Sequence, residues 1–352
     1  MNVIEDVRLS EHFKNLSFSR FKKSHVIKEL LTSLINNKVE QAFYWSSELI
    51  CAGHYIDIWE IIILFTTKYV HLGSPKLPLY ISLRIKTFKE IISDKYTDND
   101  LSLRNNNNLR NLFAEILATL CYSRKIRSFE TFKIKKKEEF SMVIMQTKMK
   151  ATDVSYAEVV FKPGDPKELF VSVNEFAYHM SKDSKNSYSA CYWIDWMIDF
   201  DNTCKKNKVS CIAEKRTWVN VPEKYQNDSI WIIWEIFNFV AQKSECMITI
   251  KIIQALLDMF CLRYTTSVKK KRKYILYNCV SLLIDPVDLS VPIWKDKEQI
   301  LCVSQKINVI YKEIKKNEIV NVADLQIKTH KKSNLEKTNE KLALINNITK
   351  SI

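Results

Sequence analysis

The stretch QAFYWSSELICAGHYIDIWEIIILFTTKYVHLGSPKLPLYISLRI, residues 41–85, decides the fold class. Ala42, Phe43, Trp45, Leu49 and Ile50 recur on one side of a helix that runs from Val39 to Cys51. Gly53 follows where a left-handed C-terminal cap is expected. A third helix carries Ile56, Trp59, Ile62, Ile63, Phe65, Thr66 and Val70, and stops at Gly73-Ser74-Pro75. Pro75 and Pro78 then fit the first turn of a fourth helix, LPLYISLRIKTFKEIISDKY, residues 77–96.

Upstream, Phe21, His25, Val26 or Ile27, Leu30, Leu31 and Leu34 set a first helix, broken at Asn36-Asn37-Lys38. Downstream, residues 96–108 read as a loop and LRNLFAEILATLCYSRK, residues 109–125, as a fifth helix. Residues 133–166 shift to a charge run, weak periodicity and a Pro-Gly turn, with a short helix over 138–148. Five more helical patterns follow, centred on residues 167–180, 188–206, 229–243, 247–264 and 270–284. KVSCIAEKRTWVNV, 208–221, has the pattern of a strand, and 295–316 that of one charged amphipathic helix. The reading is mainly α: two helical-array domains, 19–130 and 167–318, joined by a basic, weakly structured linker at 131–166. A polar lead-in (1–18) and a mobile polar tail (319–352) flank them.

Composition narrows the function. The 352 residues hold only three glycines, Gly53, Gly73 and Gly164; an average chain of this size has roughly two dozen. Phosphate loops and dinucleotide fingerprints need clustered glycines, so neither is assembled here. The nine cysteines are scattered and never form a C-x-x-C pair, and the six histidines are isolated, so no metal-ligand spacing stands out. No Gly-x-Ser-x-Gly elbow is present. These observations set the expectation of a non-enzymatic protein with no catalytic residues, cofactor, metal or small-molecule substrate. No signal-peptide pattern opens the chain and no apolar run approaches ~20 residues. The compartment expected is reducing, cytoplasmic or nuclear, with no membrane partner.

The formal net charge of +14 suits an acidic partner such as DNA. Two clusters carry it. Lys133, Lys135, Lys136 and Lys137 follow Arg124, Lys125 and Arg127; Lys269, Lys270, Lys271, Arg272 and Lys273 open a helix. Cations at a helix start oppose its dipole, so phosphates are one candidate source of compensation. The alternative is that both clusters are solvated loops. Asp195 and Asp199 share a helix face, with Asp201 beyond; they read as a solvated face more readily than as a metal or acid–base pair.

Ala42-Phe43-Tyr44-Trp45, Glu48-Leu49-Ile50, Gly53, then Ile62, Phe65 and Thr66 and His71-Leu72-Gly73-Ser74-Pro75 carry a resemblance. Residues 26–83 are similar to the helical C-terminal region of the RarA/MgsA family of clamp-loader-like AAA+ ATPases. Similar strings occur among proteins of large nucleocytoplasmic DNA viruses. Lys68-Tyr69 stands where the family has an acidic pair, and no Walker motif appears, so ATP hydrolysis is not carried over. The resemblance implies a collar-like helical region that packs subunits together. It makes Ala42, Trp45, Leu49 and Trp59 the candidate oligomer interface, with a second copy or an AAA+ clamp-loader subunit as partner; the alternative is that the tryptophans fill the core. The function expected is an oligomerising interaction protein of DNA replication or maintenance that touches nucleic acid nonspecifically. The alternative is a structural or virion-associated scaffold.

Overall fold

The computed structural model describes residues 3–93, 100–209 and 211–321; the side chains of residues 100, 136 and 137 lie outside this description. The fold is mainly helical. The first array is α1 (Lys23–Ile35), α2 (Val39–Cys51), α3 (Tyr55–Leu64), α4 (Leu77–Ser93), α5 (Asp100–Arg104) and α6 (Asn107–Tyr122). The middle stretch holds α7 (Lys136–Glu139), α8 (Met142–Lys148) and α9 (Ser155–Glu158). Then come α10 (Phe170–Met180), α11 (Ser187–Lys206), α12 (Ile230–Lys243), α13 (Met247–Cys261), α14 (Val268–Lys271), α15 (Lys273–Ile284), α16 (Lys297–Ser304) and α17 (Ile307–Lys315).

Local chemistry places the ends of the early helices. Gly53 has φ 75°, and its N–H donates to Ile50 O at 3.0 Å while that of His54 donates to Leu49 O at 2.8 Å. This is the Schellman arrangement, which satisfies carbonyls the end of α2 would leave open. The third helix does continue to Val70, but as a wider π-helical turn over Phe65–Val70. Gly73 is needed where the chain returns: a Cβ there would lie 2.3 Å from Arg124 O. That close approach lets Ile126 N reach Val70 O at 3.2 Å.

Three expectations about elements are corrected. Part of the loop at 96–108 is helical: α5 and the start of α6 fall within it, with Asn106 capping α6 through its side chain; residues 94–99 lie outside the described residues. Residues 208–221 form no strand among those described, only an isolated bridge between Ile212 and Asp228. The amphipathic helix expected over 295–316 breaks at Gln305–Lys306 into α16 and α17, so that α16 packs on α6 and α17 on α2.

One contiguous cluster of buried apolar side chains runs from Val26 to Ile307, across the expected linker. Within it α4 packs on α13 and the π turn on α15. The linker is not bare: Ile134, Met145, Ala157 and Val160 are buried in that cluster. The lead-in is also corrected. Ile4, Phe13 and Phe18 are buried with Tyr311 and Ile314 of α17 in a second small core. Arg8 bonds Asp6 at 2.6 Å and Phe18 O at 2.7 Å within it. Most of the expected tail, from residue 322, lies outside the described residues.

Candidate functional site

The lysine run at 269–273 sits largely inside the protein, against the aspartates of α11. Lys273 Nζ is 3.0 Å from both carboxylate oxygens of Asp195, which also accepts Tyr277 OH at 2.7 Å and Phe132 N at 2.8 Å. Lys270 meets Asp199 at 3.2 Å. Lys269 lies between Asp201 at 2.5 Å and Asp228 at 2.7 Å. The partners run in opposite order, 195 with 273, 199 with 270 and 201 with 269, as antiparallel segments require. Arg272 pairs with Glu60 and donates to the carbonyls of Phe260 and Leu262 at 2.8 and 2.6 Å. It thereby caps the C-terminal end of α13.

Burial shifts these groups in the direction the pairing dictates. Desolvation alone would raise the carboxyl of Asp228, but Lys269 and Lys205 outweigh it and hold it below the ordinary value. Desolvation would lower Lys269, yet Asp228 and Asp201 hold its ammonium above the ordinary range. The solvated-face reading of the aspartates is therefore corrected: Asp195 and Asp201 are buried. So is the nucleic-acid assignment of Lys269, Arg272 and Lys273, of which Lys269 and Arg272 are buried and Lys273 retains only 12% side-chain exposure. Lys270 and Lys271 remain on the surface. The cost of placing cations at the start of a helix is met by carboxylates of this chain. Three acids and three lysines, each set closely spaced along one short segment, were the available signal.

The interface stripe is corrected in the same way. Ala42, Leu49 and Trp59 are fully buried. Trp59 lies between Phe88 and Phe113, ring centroids 5.4 and 5.5 Å away. Trp45 alone is half-buried, edge-on to Phe21 and His25.

The first lysine cluster is different. Lys133 and Lys135 are exposed; the side chains of Lys136 and Lys137 lie outside the described residues. Lys133 borders a hollow of about 430 Å³ at the start of α11, together with Phe132, Lys148, Lys150, Tyr188 and Tyr192. Tyr188 is 61% exposed, and Phe132 holds its ring edge-on at 4.7 Å. Lys148 lies over Tyr192 at 4.2 Å and bonds Glu139 at 3.2 Å. Because Asp195 also accepts the N–H of Phe132, the interior charge layer fixes the backbone that presents Phe132 and Lys133. Sequence reading missed Tyr188, Lys148 and Lys150, since nothing local links 148–150 to 188.

A larger cleft, about 1120 Å³, opens between α4, α13 and the segment around Trp218. No described helix is long and apolar enough to cross a membrane. Comparison with protein-family models, with curated proteins and with solved structures returned no match.

Proposed function

We propose that this chain is a non-enzymatic helical interaction protein that contacts single-stranded nucleic acid without reading its sequence. The contact runs through the hollow at the start of α11: Tyr188 offers a ring face, and Lys133, Lys148 and Lys150 offer charge. The observation that carries this is the exposed Tyr188 ring, braced by Phe132 and beside an exposed lysine. Stacking on such a ring is worth about 1–3 kcal/mol per base and tolerates any sequence. Lysines that neutralise phosphates make the affinity fall with salt, with a slope of about −0.7 per contact for single strands. A place in DNA replication or maintenance, with an AAA+ clamp-loader subunit or a second copy as partner, rests on the likeness of residues 26–83 described above.

The test is fluorescence anisotropy of an oligothymidylate across a salt series. Tyr188→Ala should weaken binding about tenfold, and Lys133→Glu with Lys148→Glu should flatten the salt slope by roughly one unit or more. Binding that ignores both changes, in variants with wild-type circular dichroism, overturns the assignment.

One observation favours a second reading, a structural or virion-associated scaffold. Met142, Val143 and Met149, on or beside α8, are 58%, 70% and 38% exposed, and a cluster of apolar side chains on a surface marks a protein contact. That reading predicts self-association by light scattering that Val143→Glu abolishes.

A further inference from the structure

We propose that the cleft between α4, α13 and the Trp218 segment is a second binding site, for a nucleoside phosphate. The base lies on the Trp218 indole, and the phosphate is met by Lys86, Lys89 and Arg263. It goes beyond the Tyr188 reading and uses different residues.

Three features converge on this cleft. The first is an aromatic face held ready. Trp218 is 41% exposed, yet its Nε1 donates to Glu235 Oε1 at 3.3 Å. Glu235 is gripped by Arg216 at 3.0 Å, and Arg216, wholly buried, is also bonded to Asp165 at 2.7 Å. This buried network fixes the rim ring with its edge engaged. A ring so fixed loses little freedom when a base stacks on it.

The second feature is charge. Lys86, Lys89 and Arg263 line the cleft against one carboxylate among the described lining residues, Asp258. Asp258 is already engaged, accepting Ser82 Oγ at 3.1 Å and Gln254 Nε2 at 3.2 Å. None of the three cations has an ion pair among the described residues, in contrast to Lys269, Lys270 and Lys273. Lys86 and Lys89 stand one helical turn apart on the same side of α4, the spacing at which side chains act together.

The third is backbone conformation. Arg263 has φ 46°, a left-handed conformation unusual for a residue with a side chain. The turn that imposes it is held from inside, where Arg272 bonds the carbonyls of Phe260 and Leu262. The fold thus fixes a strained turn that carries Arg263 to the rim.

A site of this kind needs no glycine loop, because side-chain cations replace backbone amides as the phosphate ligands. The shared chemistry, a base joined to a phosphate, has two sources: a free nucleotide, or one nucleotide of a single strand. Both are tested by calorimetric titration of the full chain with adenosine monophosphate, a short oligothymidylate, inorganic phosphate and oligoglutamate. The proposal predicts binding of at least one of the first two, weakened about tenfold by Trp218→Leu and as much by Lys86→Glu with Lys89→Glu. Tyr188→Ala should leave mononucleotide binding unchanged. Binding of the mononucleotide alone identifies a free nucleotide as the source, and binding of the oligonucleotide alone identifies a strand. Lys86→Gln guards against misfolding, since it keeps the exposed stem and removes only the charge. No heat from either nucleotide ligand overturns the proposal. So does binding indifferent to Trp218→Leu, or oligoglutamate binding as tightly as both nucleotide ligands, which marks a groove that reads charge alone. Tyr188-dependent capture of a longer strand can survive any of these results, so the two readings fail separately.

Discussion

Two lysine clusters, similar as strings, have opposite fates in this protein. At 133–137 the described side chains, Lys133 and Lys135, stand in solvent. At 269–273, Lys269 is 1% exposed and lies between two buried aspartates. What separates them is the rest of the chain: α11 supplies Asp195, Asp199 and Asp201 in the order that the second cluster needs, whereas among the described residues Lys135 meets only the exposed Glu138 and Lys133 has no ion pair. A charge run becomes a surface or an interior feature according to what lies opposite it. Removing one partner from a buried pair is costly, about 3–5 kcal/mol, whereas an exposed pair is worth about 0–1 kcal/mol.

The tryptophans allow the comparison to be broken first, with the largest effect. Trp59→Ala should cost about 3–5 kcal/mol in urea unfolding because it empties a site between Phe88 and Phe113. Trp45→Ala, half-buried against Phe21 and His25, should cost clearly less. Equal, small losses with a change of oligomeric state for both would restore the interface assignment.

An intermediate effect is expected from pH. Burial lowers the imidazole of His71 from 6.5 to about 4, against the upward pull of the Tyr277 backbone and, less, of Asp285. The folded protein therefore keeps His71 neutral between those values while the unfolded chain takes up a proton. Stability should fall as pH falls from 6.5 towards 4, by about 3 kcal/mol at most from this group, and be insensitive to it above 6.5. His71→Asn, which removes the titrating imidazole and keeps a polar side chain, should flatten that part of the profile. An unchanged slope in the variant would show that His71 does not carry it.

The smallest effect belongs to Lys270. It is 60% exposed although paired with Asp199, so Lys270→Ala should change stability by less than about 1 kcal/mol. A loss of the size expected for a buried pair would move Lys270 into the interior class.

Much of the fold was legible because its signals are local. The 3.6-residue periodicity of α1 to α4, the Gly53 cap and the Gly73-Ser74-Pro75 stop each depend on a few neighbouring residues. The failures are those where a distant segment decides. Residues 100–104 lack an apolar stripe, yet Arg104 is drawn inside to the carbonyls of Cys51 and Arg8, and a short helix forms around it. Residues 208–221 alternate like a strand, but Arg216 turns inward to Asp165 and Glu235, and among the described residues only the isolated Ile212–Asp228 bridge forms. The interface stripe looked like a contact surface because an aromatic helix face is the same string whether a partner or α6 covers it. Of the residues that line the candidate hollow, only Lys133 was anticipated. Tyr188, Lys148, Lys150 and the Trp218 cleft are made by tertiary packing.

Side-by-side chemical denaturation of Lys269→Met and Lys133→Met tests the partition of charge most directly. Lys269→Met should lose about 3 kcal/mol, the low end for a broken buried pair, because Asp201 and Asp228 lose their buried cation and keep only the more exposed Lys205 at 2.7 and 4.0 Å, and Lys133→Met should stay within about 0.5 kcal/mol of the parent. Wild-type stability in Lys269→Met, accompanied by weaker oligonucleotide binding, would contradict the account and return that lysine to the surface.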